Sequence, residues 1–107
     1  MRLVRAPVEL AGGRVEEAEG YPAWTPNPDS ELLAQAVEVY KKVAGSEPVV
    51  EAVHAGLECG VIGDKYPGME MLSFGPDIEG AHTPEERVRI SSVERSWKLL
   101  QKLLQEV

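Results

Sequence analysis

Two histidines and one cysteine are the side chains in this sequence best suited to chemistry near neutral pH. His54 stands in His54-Ala55-Gly56-Leu57-Glu58-Cys59-Gly60, and His82 in Gly80-Ala81-His82-Thr83-Pro84-Glu85-Glu86. An imidazole changes charge near neutrality and offers a nitrogen lone pair, so either can act as a base or bind a metal. One histidine is not a metal centre. Zinc takes three or four protein ligands, and no second histidine or carboxylate stands at ligand spacing from either. A loop histidine without such partners is most often simply solvated. Cys59 follows His54 by five residues, which permits a thiolate–imidazole pair, but the ordinary reading of a lone cysteine is a small buried hydrophobe. Glu58 and the run Glu16-Glu17-Ala18-Glu19 read first as solvated charges, and Tyr21 and Trp24 as packing at a domain edge. No CxxC, HExxH, GxSxG or GxxxxGK pattern occurs.

The elements around these residues decide what they can reach. Residues 49–54 form a β-branched run that turns polar at its end, and residues 69–74 form a second short apolar run; both read as strands. The two histidines then lie beyond the C-terminal ends of strands, where binding crevices open in parallel sheets. Thr83-Pro84-Glu85-Glu86 offers a capping residue, proline at the first helical position and glutamate three after the cap. Such a turn would hold His82 rigidly.

The helices follow from spacing. Asp29 or Ser30 can cap a helix carrying Leu33, Ala36, Val37, Tyr40 and Val43 on one face, with Lys41 and Lys42 near its end and Gly45 as the stop. Leu57 to Lys65 reads as a short helix despite Gly60 and Gly63. Ser91 and Glu94 form a capping box for a last helix, with Val93, Trp97, Leu100, Leu104 and Val107 on one face, widened by Leu103. Before them, residues 2–20 alternate loosely around Gly12-Gly13 and read as two short strands. Pro22, Pro26 and Pro28 then exclude helix or central strand and mark a boundary near residue 24. The expected fold is α/β, with a small parallel or mixed sheet and three helices.

Length and charge bound the rest. The chain has 107 residues, room for one domain, and carries 11 Lys+Arg against 18 Asp+Glu, a net charge of −7. That sign argues against nucleic acid or an anionic membrane surface as partner. A single cysteine excludes an internal disulfide. No apolar run approaches the roughly 18 residues that span a bilayer, and no signal-peptide core follows Arg2 and Arg5. A reducing, cytoplasmic setting is expected.

Taken in order, Tyr21-Pro22-Ala23-Trp24, the block His54 to Gly60, Ser73-Phe74-Gly75-Pro76-Asp77-Ile78 and His82-Thr83-Pro84-Glu85-Glu86-Arg87 form a recognisable series. It resembles the C-terminal end of bacterial aminoacyl-histidine (Xaa-His) dipeptidases, within the zinc exopeptidase family that includes aminoacylases, tripeptidases and carnosinases. The resemblance runs from about Val8 onward. It implies a catalytic domain with two zinc or other divalent metal ions, and a lid domain that clamps a small dipeptide. Residues 1–20 would end the lid, and residues 21–107 would complete the catalytic domain. His82 matches a metal-ligating histidine; His54, Gly56 and Glu58 match a loop lining the substrate pocket. The other ligands, the bridging carboxylate and the general-base glutamate that activates water belong to an N-terminal half outside these 107 residues. No catalytic residue is then expected here. The chain alone should be an inactive part of a dipeptidase, prone to self-association through its uncovered faces. A different class of reading is a free-standing α/β interaction or regulatory module that has lost catalysis.

Overall fold

The longest-range packing in the chain is the pairing of two helices. In the computed structural model, which describes residues 2–18, 20, 22–53 and 57–107, α2 (Glu31–Ala44) lies against α4 (Ile90–Glu106). Their contact contains the fully buried Val39 together with Ala36, Leu99 and Leu103, while Tyr40, Val43 and Leu72 close its sides. Lys42 Nζ meets Glu106 Oε1 at 3.5 Å, so the two C-terminal ends lie together.

Local chemistry explains where α2 begins and ends. The Ser30 hydroxyl accepts from the Leu33 amide at 3.2 Å, supplying one acceptor to the open amides of the first turn. Glu70 Oε1 accepts from the Glu31 amide at 2.7 Å, placing a carboxylate at the positive end of the helix. At the other end Gly45 takes φ 71°, and its amide donates to Lys41 O at 2.9 Å. Spacing placed this helix well but not its contact: Leu33 and Val37 are half-buried, and Val39 is the centre of the packed face.

α4 departs further from expectation. Its first residue is Ile90, its N-cap is Arg89 without a side-chain hydrogen bond, and Ser91 is exposed, so the Ser91–Glu94 capping box does not form. Val93, Trp97, Leu104 and Val107 stay exposed, whereas Ser92, Leu99 and Leu103 are buried. The helix carries two apolar stripes, and α2 covers the narrower one because Ala36 and Val39 present a small surface that lets the axes approach.

The remaining α/β character is a short antiparallel hairpin. β1 (Ile78–Glu79) pairs β2 (Arg87–Val88), with Ile78 opposite Val88 and Glu79 opposite Arg87. The small sheet expected as parallel or mixed is, among the described residues, this one antiparallel pair. Residues 49–53 and 69–74 make no strand pairing, and Val49, Val50, Val53, Met69 and Phe74 are exposed. A β-branched run needs a neighbouring backbone to become a strand, and none of the described residues supplies one. α3 (Glu58–Lys65) forms as its sequence indicates.

The N-terminal segment is a correction. Residues 2–10 form α1 (Arg2–Leu10), not a strand, bringing the helices among the described residues to four instead of three. Arg5 Nε meets Glu9 Oε1 at 2.7 Å one turn on, and Gly12 (φ 80°) ends the helix. The Gly13 amide donates to Val8 O at 2.8 Å and the Gly12 amide to Glu9 O at 3.0 Å, the paired bonds of a Schellman stop. Gly12-Gly13 thus ends a helix where a hairpin was expected. Val4 and Leu10 remain exposed, so α1 rests on local bonds.

Candidate functional site

The hairpin carrying His82 is rich in side-chain hydrogen bonds. Arg87 Nη2 meets Glu79 Oε2 at 2.6 Å across the register pair, and Arg89 Nη2 meets Glu79 Oε1 at 3.5 Å. Below them the Arg89 amide donates to Asp77 O at 3.0 Å, prolonging the ladder by one bond. The stalk is anchored to α4 by Ser92, which is fully buried. Its hydroxyl accepts from the Asp77 amide at 2.8 Å and donates to Arg89 O at 2.6 Å, so one side chain bridges both strands to the helix. Arg95 Nη2 donates to both Asp77 carboxylate oxygens at 3.0 Å. Nothing in the spacing singles out Ser92. Its neighbour Ser91 had the capping pattern, and only the packing of the first turn against the hairpin distinguishes the two.

Above the stalk the 80–86 loop closes on itself. The Thr83 amide and hydroxyl donate to Gly80 O at 3.1 and 2.7 Å, and the Glu86 amide donates to Thr83 O at 3.1 Å. The Glu85 amide donates to Thr83 Oγ1 at 3.3 Å. Thr83-Pro84-Glu85-Glu86 therefore makes a turn braced as expected, but no helix follows it. Gly80 takes φ 63°, and a Cβ there would sit 3.2 Å from both Glu85 O and Thr83 Oγ1.

His82 stands at the tip, exposed, with φ 65°. It is the one non-glycine residue with positive φ among the described residues. This left-handed conformation costs an L-residue about 1–3 kcal/mol and persists only where the surroundings impose it. Here the His82 amide donates to Glu86 Oε2 at 2.7 Å. The result is an imidazole presented outward from a fixed backbone.

Of the other proposed site residues, Glu58 is the one that the structure describes. Glu58 is exposed in the first turn of α3, and Cys59 is a half-buried free thiol beside it. His54 and Gly56 lie outside the described residues. A cleft of about 1340 Å³ runs between Trp24, Val37, Val53, Leu57 and Met71, and neither Glu58 nor His82 lines it. It is the space between α2, α3 and the unpaired segments. Gly60 closes one wall: a Cβ there would lie 2.6 Å from Pro22 O, so the proline segment packs directly on α3.

Two ion pairs elsewhere shift titrations. Lys41 is raised above its usual 10.5 by hydrogen bonds to Glu38 and Glu47. Glu94 is lowered from its usual 4.5 by its bond to Lys98 one turn on.

Among the described residues, no three His, Cys, Asp or Glu side chains converge to hold a metal ion. A metal centre would need ligands from outside them. No described helix is long and apolar enough to cross a membrane.

Comparison with known proteins defines the class of the chain. Residues 9–106 match the model of peptidase family M20/M25/M40, and the chain belongs to that family. It is 41% identical over 99 residues to the cytosol non-specific dipeptidase of Escherichia coli (strain K12). That alignment covers 92% of this chain and 20% of the relative, so the chain spans about a fifth of that protein's length.

Proposed function

We propose that this chain contributes one metal ligand, His82, and part of the substrate-pocket wall to a zinc-dependent dipeptidase acting in the cytosol on Xaa-His dipeptides. The observation that carries the reading is the exposed His82 at φ 65° on a braced hairpin, inside a family match covering nearly the whole chain. Strained backbone conformations cluster at functional sites, where the surrounding bonds hold them in place. Bound zinc would polarise the scissile carbonyl and activate water. This chain's part is to hold an imidazole nitrogen still while the loop of residues 54–60, including His54, Gly56 and Glu58, lines the pocket.

The described residues do not make a metal site by themselves, so the remaining ligands and the general base come from a complementing N-terminal part. Residues 1–20 end the lid and residues 21–107 belong to the catalytic domain. Alone, the chain is inactive and associates with itself through the exposed stripe of α4 or the unpaired segments. The relative's name describes a non-specific dipeptidase, so selectivity for C-terminal histidine is the narrower part of the reading.

The test is reconstitution. The chain is mixed with a polypeptide corresponding to the rest of the Escherichia coli relative, and hydrolysis of Xaa-His and other dipeptides is followed with and without chelator. Chelator-sensitive activity in the mixture only, fastest on Xaa-His, is the expected result. Activity of the chain alone overturns the shared-site reading, and equal rates on all dipeptides overturn the substrate preference.

A further inference from the structure

We propose that Glu86 is the positioning residue for His82: its carboxylate holds the histidine backbone in the left-handed conformation and so sets the direction in which the imidazole leaves the hairpin. The proposal rests on the reading of His82 as the functional side chain of this loop. No packing can force φ 65° on His82, because the whole 80–86 tip is exposed. Hydrogen bonding must do it. The Thr83 amide and hydroxyl both close onto Gly80 O, and the Glu86 amide closes onto Thr83 O. These bonds set the path of the loop without touching residue 82. The bond that does touch it runs from the His82 amide to Glu86 Oε2, at 2.7 Å.

The neighbouring groups leave Glu86 to that task. Glu85 enters the loop through its amide, which donates to Thr83 Oγ1 at 3.3 Å. The adjacent cation, Arg87, is taken by Glu79 through Nε at 2.8 Å and Nη2 at 2.6 Å. Among the described residues Glu86 makes no ion pair, so its carboxylate serves an amide. A charged acceptor forms a shorter and stronger bond to a backbone N–H than a neutral one, as an exposed brace working against backbone strain requires. Aspartate would fall a methylene short of the amide, whereas glutamine keeps the reach and the acceptor oxygen but loses the charge.

The test uses the 107-residue chain, labelled with ¹⁵N, and follows native-state amide exchange at single residues. In Glu86→Ala the His82 amide should exchange about tenfold faster while the Val39 and Leu103 amides keep their rates; Glu86→Gln should stay within about threefold of the unchanged protein. An unchanged His82 rate in Glu86→Ala, or an equal acceleration at Val39 and Leu103, overturns the proposal. A second measurement removes the strain itself. Glycine adopts positive φ without cost, so Glu86→Ala should lower Tm in the His82 chain and lower it less with His82→Gly already in place. Equal shifts in the two backgrounds also overturn it. The parent reading is tested separately by titrating zinc chloride into the chain mixed with the complementing polypeptide and observing the His82 ring nitrogens. Rings that do not respond in that mixture count against His82 as a ligand and leave the exchange result on Glu86 standing.

Discussion

The hairpin around His82 and the two apolar segments at 49–53 and 69–74 are both largely open to solvent, yet only the first has a defined local structure of its own. The hairpin carries few apolar groups. Its order comes from bonds between residues at most 18 positions apart, such as Arg95 to Asp77 at 3.0 Å and the Asp77 amide to Ser92 at 2.8 Å. The apolar segments hold the strongest strand composition in the chain and make no strand. Polar loops can satisfy their donors and acceptors within a dozen residues. A β-branched run cannot, because each amide needs a carbonyl on another extended segment. Solvent exposure therefore means different things in the two regions: presentation of a side chain in one, an unfilled edge in the other.

The sharpest way to break this comparison is at the histidine. In the reconstituted enzyme, His82→Ala should lower activity by about 100-fold or more and remove metal measured by elemental analysis, while circular dichroism stays unchanged. His54→Ala should cost about tenfold, chiefly in KM, with metal content retained. Equal metal in wild type and His82→Ala would show that the hairpin presents its imidazole for something other than a metal.

Next in size are the packed contacts. Val39→Ala, at the fully buried centre of the α2–α4 contact, should cost about 1–3 kcal/mol by urea denaturation. Val50→Ser, at 56% exposure, should cost less than about 0.5 kcal/mol in the chain alone. If the complementing polypeptide pairs with this segment, the second substitution becomes costly in the mixture, and a neutral result there would exclude the pairing.

Ser92→Ala should cost about 1–2 kcal/mol, because it leaves the Asp77 amide without its acceptor and unties the hairpin from α4. The readout specific to this site is loss of dispersion in the amide signals of residues 77–89 with the α2 signals unmoved. Light scattering at moderate salt addresses the exposed stripe of α4: a concentration-dependent rise in mass is expected, and Trp97→Glu should reduce it. A monomer at high concentration would refute self-association.

The smallest effect is electrostatic. The Glu94 carboxyl is held below its usual 4.5 by Lys98, so its folded value lies under its unfolded one. Its contribution to α4 is then fully present above about pH 4.5 and fades as pH falls through the lowered value. Lys98→Ala should return the Glu94 midpoint, read by carboxyl chemical shift, to the ordinary range. Lys41, raised by Glu38 and Glu47, runs the other way and loses its contribution only as alkaline pH passes its raised value.

What was legible in the residues themselves was whatever short-range physics enforces. Asp29 or Ser30, Lys41 and Gly45 marked the ends of α2, with Ser30 the cap that forms, because capping and left-handed stops involve bonds of three or four residues' reach. The brace before Arg87 was readable in Thr83-Pro84-Glu85-Glu86, although its carboxylate serves the His82 amide and no helix follows. The family was readable because its motif blocks are contiguous. Tertiary structure alone decided the remainder. Val93-Trp97-Leu104 and Leu99-Leu103 are both apolar stripes on one helix, and periodicity cannot tell which of two stripes meets the small surface of Ala36 and Val39. Likewise Ser91 and Ser92 are the same residue type one position apart, about 100° around the helix. Only the position of the hairpin makes the second of them the anchor. Short bonds are written into adjacent residues, whereas a packed face depends on a partner whose shape no local pattern contains.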